Sequence, residues 1–254
     1  MSSVRKEQIC ALLKGIETGD PTAVAVVNQE KYIQHNPQTH EGSEGLAALF
    51  ARLSKTSPRV NIVRVFADGD YVFAHTEYDF ATRRIGFEVF RFEGERVVEH
   101  WDNIQARRGP NPSGHSMVDG PVEAADLGRT EANRSFVRKF IEDVLIGRRV
   151  DRLAHYIDGA RFTQHDPELE DGIDALEAQL EAVSGERPVV EYERVHRVLA
   201  EGSFVLTVSE GFLAGVHSSF YDLFRVEGGK LVEHWDTVEA VPAPSEWKND
   251  NGKF

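Results

Sequence analysis

Apolar residues recur along this chain in two rhythms, and the rhythms alternate. Ile9, Leu12, Leu13 and Ile16 hold the i, i+3, i+4, i+7 spacing of one helix face, and Leu46, Leu49, Phe50 and Leu53 hold it again. Between them, Asp20-Pro21 is a start signal for a short second helix. From residue 60 the period shortens to that of strands, predicted at 60–67, 71–80, 85–92 and 97–106, with turns at Asp68-Gly69 and Gly94. Then the plan restarts. Val137, Phe140, Ile141 and Val144 repeat the first helix, Ile173, Leu176, Leu180 and Val183 predict the third, and strands follow at 189–199, 204–213, 216–226 and 231–240.

Three helices and then four strands, twice over, read as a tandem duplication in which each copy is a domain. Runs of helix followed by antiparallel strand give an α+β fold, with three helices packed on one face of a curved, mainly antiparallel sheet. Each such barrel is cone-shaped, and its mouth is the natural ligand site. Residues 108–121, rich in Gly, Pro, Asn and Ser, read as a linker. The expected domains are therefore 1–122 and 123–254.

One phrase occurs in both copies: FRFEGERVVEHWD at 90–102 and FRVEGGKLVEHWD at 224–236. Each is an apolar run, a Gly turn and a second run, the pattern of a β-hairpin. Alternation along a strand puts His100 and Asp102 on one face and Trp101 on the other, with His234, Asp236 and Trp235 likewise. A three-residue turn would pair Val226 with Lys230 and set Asp222 opposite His234. A two-residue turn would set Asp222 opposite Trp235. The copies also share Gln34-His35 with Gln164-His165, and Glu77 with Glu210, while Glu88 stands where Asp222 does. Polar residues kept on part-buried strands are less expected than apolar ones, because burying them costs free energy unless they are paired.

Composition narrows the partners. A net charge of −13 argues against phosphate-backbone binding and anionic membrane surfaces. The single cysteine, Cys10, excludes an internal disulfide, no window has the length and apolarity of a membrane span, and the first residues lack a signal core. Cytoplasmic placement is the expectation. No His-Glu-x-x-His helix, Cys/His cluster, phosphate loop or nucleophile elbow is present, so neither metal nor cofactor is expected.

The hairpin phrase, together with Tyr32-Ile-Gln-His-Asn-Pro37, Gly42, the stretch at 64–70 with His75, and the Asn-Gly tails at 111–117 and 249–254, resembles the SnoaL-like polyketide cyclase family. That family lies within the superfamily of nuclear transport factor two and ketosteroid isomerase. The resemblance covers nearly all of both halves. It implies a pocket for a small, largely apolar ligand and pairing through the sheet, here as a pseudo-dimer within one chain, alone or in a higher oligomer. It implies intramolecular aldol chemistry without metal or cofactor. It places the acid/base residue at Asp102 and Asp236, and a second pocket residue at Glu88 and Asp222. Relatives carry Asp at the Glu88 position and His at the Val208 position, so the first copy keeps His75 without that Asp and the second keeps Asp222 without that His.

The candidate catalytic residues are thus Asp236, His234, Asp222, Asp102 and His100, as acid/base pairs or as structural His–Asp hydrogen bonds. The candidate ligand contacts are His35, His165, His75, Glu88, Trp101 and Trp235, with core packing the other reading of both indoles. The second copy, which keeps both Asp222 and Asp236, is the better expected site. The expected function is cofactor-free acid/base chemistry on a small carbonyl compound, by aldol cyclisation, isomerisation or hydration. A non-catalytic small-ligand or stress-linked module is the alternative.

Overall fold

The computed structural model describes Ser2–Phe254 and divides into two units. The first unit runs through Arg107 and takes in Pro242–Phe254; the second is Arg108–Val241. Among the described residues no helix is long and apolar enough to cross a membrane.

In the first unit, α1 (Ser2–Thr18) buries Ile9, Leu12, Leu13 and Ile16, the predicted stripe. The side chain of Asp20 accepts from the Thr22 N–H at 2.8 Å and starts a short 3-10 helix, Pro21–Val26. After β1 (Ile33–Gln34) and α2 (Gly42–Leu53) come β2 (Arg59–Asp68), β3 (Tyr71–Asp79), β4 (Arg83–Glu93) and β5 (Arg96–Ala106). The sheet order is β1-β5-β4-β3-β2, antiparallel except where β1 joins β5. Burying each apolar side chain of the α1 stripe contributes ~1.5–3 kcal/mol, which is what fixes the helix on the sheet.

The second unit repeats this order: α3 (Thr130–Phe140), α4 (Leu153–Tyr156), β6 (Thr163–Gln164) and α5 (Ile173–Glu181), then a small hairpin of β7 (Val183–Ser184) and β8 (Arg187–Pro188). Four long strands follow: β9 (Val190–Glu201), β10 (Phe204–Leu213), β11 (Val216–Glu227) and β12 (Lys230–Ala240), in the order β6-β12-β11-β10-β9. The expected α+β fold is present in each unit. Val183, predicted to belong to the third helix, lies beyond the end of α5 and is exposed in β7.

Two expectations are corrected. The first is the boundary at 122. Composition made 108–121 a linker, but its side chains bond into the second unit: the Asn111 amide donates to the carbonyls of Gln164 and Leu169 at 2.7 and 2.8 Å. The tail behaves alike in the first unit, where the Asn249 amide donates to the carbonyls of Asn36 and Thr39 at 2.8 and 2.9 Å. Each copy's last strand is therefore followed in the chain by an arm that belongs to the other unit.

The second correction is the hairpin register. The turn has two residues, with Glu227 paired to Lys230, and Val226 pairs with Leu231. Val232 is then skipped, so Arg225 meets Glu233 and Asp222 faces Asp236. That is neither predicted partner. The skipped residue is a β-bulge, which adds one position to one strand and restores the parity that a two-residue turn alone would invert. The first unit does the same at Val98, pairing Glu88 with Asp102. Its turn differs in kind, since Gly94 alone has positive φ (61°) where Gly228 and Gly229 both do (59° and 76°), yet the register is identical.

Deleting Val98 should therefore do more than remove one buried side chain. Every residue from Glu99 onward would change face, turning His100 and Asp102 outward. The expected outcome is loss of the cooperative melt of the first unit by circular dichroism; a native melting curve would contradict the assigned role of the bulge.

Candidate functional site: a carboxylate pair on adjacent strands over an apolar cavity

In the first unit a cavity of about 250 Å³ lies between the helices and the sheet. Leu12, Leu13 and Ile16 of α1 and Leu46, Leu49, Phe50 and Leu53 of α2 form its apolar roof. Strand alternation supplies its floor: Tyr78 from β3 with Phe80 just beyond its end, Glu88 and Phe90 from β4, and His100, Asp102 and Ile104 from β5. Tyr32, Gln34 and Asn36 come from the β1 segment, and Arg52 and Arg84 stand exposed at the edge.

The polar residues form one connected chain. Gln34 Oε1 accepts from the Asn36 N–H at 2.8 Å, which identifies that atom as the oxygen. His100 Nδ1 lies 3.0 Å from the same oxygen and must therefore carry its proton. His100 Nε2 lies 2.7 Å from Glu88 Oε2, and two acceptors do not approach so closely without a proton between them. Glu88 and His100 thus share one proton. The Tyr78 hydroxyl donates to Glu88 Oε1 at 2.7 Å. Burial, then Glu88, hold the Tyr78 phenol well above its ordinary range, so it stays a donor. The phenol of Tyr32 is pushed up in the same way by burial, then by Asp102 and Glu88.

Asp102 is held apart from that chain. Its Oδ2 accepts from the Asn36 amide at 2.8 Å, while Oδ1 accepts no hydrogen bond and has Lys253 Nζ at 3.6 Å. Lys253 also donates to the Asp102 carbonyl at 2.7 Å. The arm that carries it follows the β1 segment. The Lys248 N–H donates to the Pro37 carbonyl at 2.8 Å, the Asn251 amide to the Gln34 carbonyl at 3.1 Å, and His35 Nδ1 meets the Gly252 carbonyl at 2.8 Å.

Among the described residues, Glu88, His100 and Asp102 also bring one possible metal-ligand atom each within 4.8 Å of one another. The 2.7 Å between His100 and Glu88 is a hydrogen-bond distance. Two ligands each about 2.1 Å from one tetrahedral ion stand about 3.4 Å apart, so the spacing is that of a shared proton.

The second unit rebuilds the same chain with different parts. Gln164 Oε1 accepts from the His165 N–H at 3.1 Å and faces His234 Nδ1 at 2.8 Å, and His234 Nε2 meets Asp222 at 3.1 Å. The phenol donating to Asp222, at 3.1 Å, is Tyr192 of β9, one strand further out than Tyr78. In the first unit Tyr78 pairs across with Val60; in the second Gly211 holds that place and pairs with Tyr192. The exchange is forced by space. A Cβ on Gly86 would lie 2.7 Å from the Tyr78 ring, whereas the corresponding Phe220 packs on Tyr192 with ring centroids 4.5 Å apart. Electrostatics differ too, since Asp166 occupies the place of Asn36. Burial, then Asp166 and Asp222, push the Asp236 carboxyl well above the usual range, against the opposing pull of Arg108.

Five expected ligand contacts do not line this cavity. His35 and Trp101 lie on the other sheet face, stacked at 4.6 Å, with His35 Nε2 on Glu99 at 2.9 Å and Glu99 on Arg91 at 2.6 Å. His165 and Trp235 repeat the arrangement at 4.7 Å, with Glu233 between His165 and Arg225. Burial works against the charge of Glu233, but the hydrogen bonds from His165 and Arg225 outweigh it and hold its carboxyl below the ordinary range. His75 faces away as well, with Nδ1 at 2.6 Å from Arg64. The reason is parity: Tyr32, Gln34 and Asn36 share the cavity side, so His35 is turned off it. Glu88, His100 and Asp102 line the cavity, and Asp222, His234 and Asp236 are brought together in the second unit. Sequence reasoning missed Gln34 and Gln164, although the duplication marked them beside the histidines. It had no signal for Tyr78 and Tyr192, which are not equivalent positions, or for Lys253, distant in the chain.

Residues 10–100 match the family model of the SnoaL-like domain. The first unit carries a SnoaL-like domain. No curated protein matches the chain. Among solved structures, TsrD from Streptomyces laurentii is 18% identical, over 41% of this chain and 91% of its own, with a TM-score of 0.37. An LEH-like epoxide hydrolase of M. tuberculosis is 19% identical over 41% and 84%, with a TM-score of 0.36. A Catenulispora acidiphila protein with a ketosteroid isomerase-like fold is 19% identical over 38% and 83%, with a TM-score of 0.33.

Two measurements check this geometry. Gln34→Leu removes the acceptor shared by His100 and the Asn36 N–H, and should destabilise the first unit by ~1–3 kcal/mol in denaturant melts. Asp236→Asn should do the reverse in the second unit. A carboxyl whose folded pKa is raised contributes best below its unfolded value, ~3.9, and loses stability as pH rises from there towards the folded value. The amide escapes that loss, so the variant should melt higher than the native protein at pH 7 and level with it below about pH 4.

Proposed function

We propose that the first unit catalyses cofactor-independent proton transfer on a small, largely apolar carbonyl compound. The observation that carries this reading is Asp102 Oδ1, a carboxylate oxygen on the wall of an apolar cavity with no hydrogen bond of its own. Carbon next to a carbonyl is weakly acidic, so its deprotonation needs a base in contact and a donor to the oxygen that becomes negative. Asp102 meets the first need. For the second, the Glu88–His100 pair holds a shared proton in the same cavity, and Tyr32 is a phenol in its wall.

The step is balanced within the site. Asp102 takes the proton, and the C–H electron pair remains as an enolate. For ring closure the enolate carbon attacks a second carbonyl of the same molecule, forming the C–C bond, and the resulting alkoxide recovers the proton from Asp102. Returning the proton to a different carbon gives isomerisation instead. A cavity of about 250 Å³ limits the ligand to a small molecule, being below the ~300–1,000 Å³ usual for drug-sized ligands. The reading centres on the first unit, although Asp222 and Asp236 both persist in the second. Glu88 reaches the same histidine nitrogen that Asp222 reaches, and Asn36 in place of Asp166 gives Asp102 a donor where Asp236 faces an acid.

Native mass spectrometry of the purified protein, followed by a screen of 1,3-dicarbonyl compounds for enolisation and ring closure, supplies a substrate. Asp102→Asn should then lower kcat by ~10²–10⁴-fold with the melting temperature of the first unit kept. Undiminished turnover in a folded variant would refute the role. Ligand retention without turnover in the native protein would point to the binding module.

A further inference from the structure

We propose that Lys253, on the arm that follows β12, is a positioning residue that sets the charge of Asp102. The inference rests on the reading of Asp102 as the base. Lys253 is 2% exposed and Asp102 4%, so both are withdrawn from water. An ionised carboxylate in such a place is costly unless a charge or strong donors accompany it. Lys253 holds its ammonium 2.7 Å from the Asp102 carbonyl and 3.6 Å from Oδ1, near enough to offset the charge without capping the oxygen that must take the proton.

The second unit shows the site without this device. Aligned on Asn249 with Asn111 and on Gly252 with Gly114, the place of Lys253 is taken by His115. His115 instead meets Asp171 at 3.0 Å, with its side chain 36% exposed. One arm thus brings a buried cation to its carboxylate and the other does not. Because the arm with Lys253 follows the last strand of the second copy, the second copy's tail completes the first copy's site.

The groups facing Asp102 are Glu88 across the strand pair, His100 beside it, Tyr32 and Tyr78 in the cavity wall, and Lys253 from the arm. Of these Lys253 is the fixed cation, so removing its charge should make the carboxylate harder to form. The test is an NMR titration of the full chain labelled with ¹³C at the aspartate carboxyl carbons, with the Asp102 signal identified by its loss in Asp102→Asn. In Lys253→Gln, which keeps a donor and removes the charge, the Asp102 midpoint should rise by about one pH unit or more. In Lys253→Arg it should stay near the native position. An unmoved midpoint in Lys253→Gln overturns the proposal. Should Lys253→Gln fail to fold, adding Asp102→Asn should restore folding if charge compensation is the role, and a double variant that stays unfolded overturns it. This titration can fail while Asp102→Asn still abolishes turnover, and it can succeed if turnover survives that change, so the two readings fall separately.

Discussion

One unpaired residue in each hairpin governs the chemistry of both units. A strand has a side-chain period of two, so an odd shift in register sends every polar group to the opposite face. The two-residue turns at Gly94-Glu95 and Gly228-Gly229 would by themselves oppose Trp101 to Glu88 and Trp235 to Asp222. Skipping Val98 and Val232 restores the pairings Glu88–Asp102 and Asp222–Asp236. Those pairings put two carboxyl groups and an imidazole on the inner face, and the stacked His35–Trp101 and His165–Trp235 pairs on the outer one. The short parallel strands β1 and β6 inherit the same parity, which is why a glutamine, not the neighbouring histidine, reaches inward.

Given that frame, the units keep the hydrogen-bonding logic and vary its parts. A glutamine oxygen, pinned by a backbone N–H, fixes which imidazole nitrogen is protonated in both. A phenol donates to the acidic partner in both, but it comes from Tyr78 in one and from the outer strand, as Tyr192, in the other. Gly86 makes room for the Tyr78 ring in the first unit, and in the second Gly211 stands in the place of Tyr78 and lies against the backbone of β9, which carries Tyr192. What the exchange does not conserve is charge. Asp102 has an amide and a lysine for company; Asp236 has Asp166 and Asp222, and burial beside them favours its neutral form. The two folds are equal and their electrostatics are not, and the core of each unit is undisturbed by the difference.

The alternating periods of apolar residues, by themselves, determined the helices, the long strands, the duplication and the α+β class, because burial of one face is a local, periodic demand. They also brought Glu88, His100 and Asp102, with Asp222, His234 and Asp236, onto the shortlist, since polar residues retained on part-buried strands need partners. The tertiary structure decided the rest. It chose the register, because a bulge trades one ladder position against packing of the whole face and leaves no mark in the sequence. It turned His35, His75 and His165 away from the cavity side and put Gln34, Asn36 and Tyr78 on the cavity wall. It also made ordered arms of 108–121 and the tail, whose Gly, Pro and Asn content reads as linker. Their order comes from asparagine amides donating to carbonyls far along the chain, and a long-range hydrogen bond has no period by which a sequence could announce it.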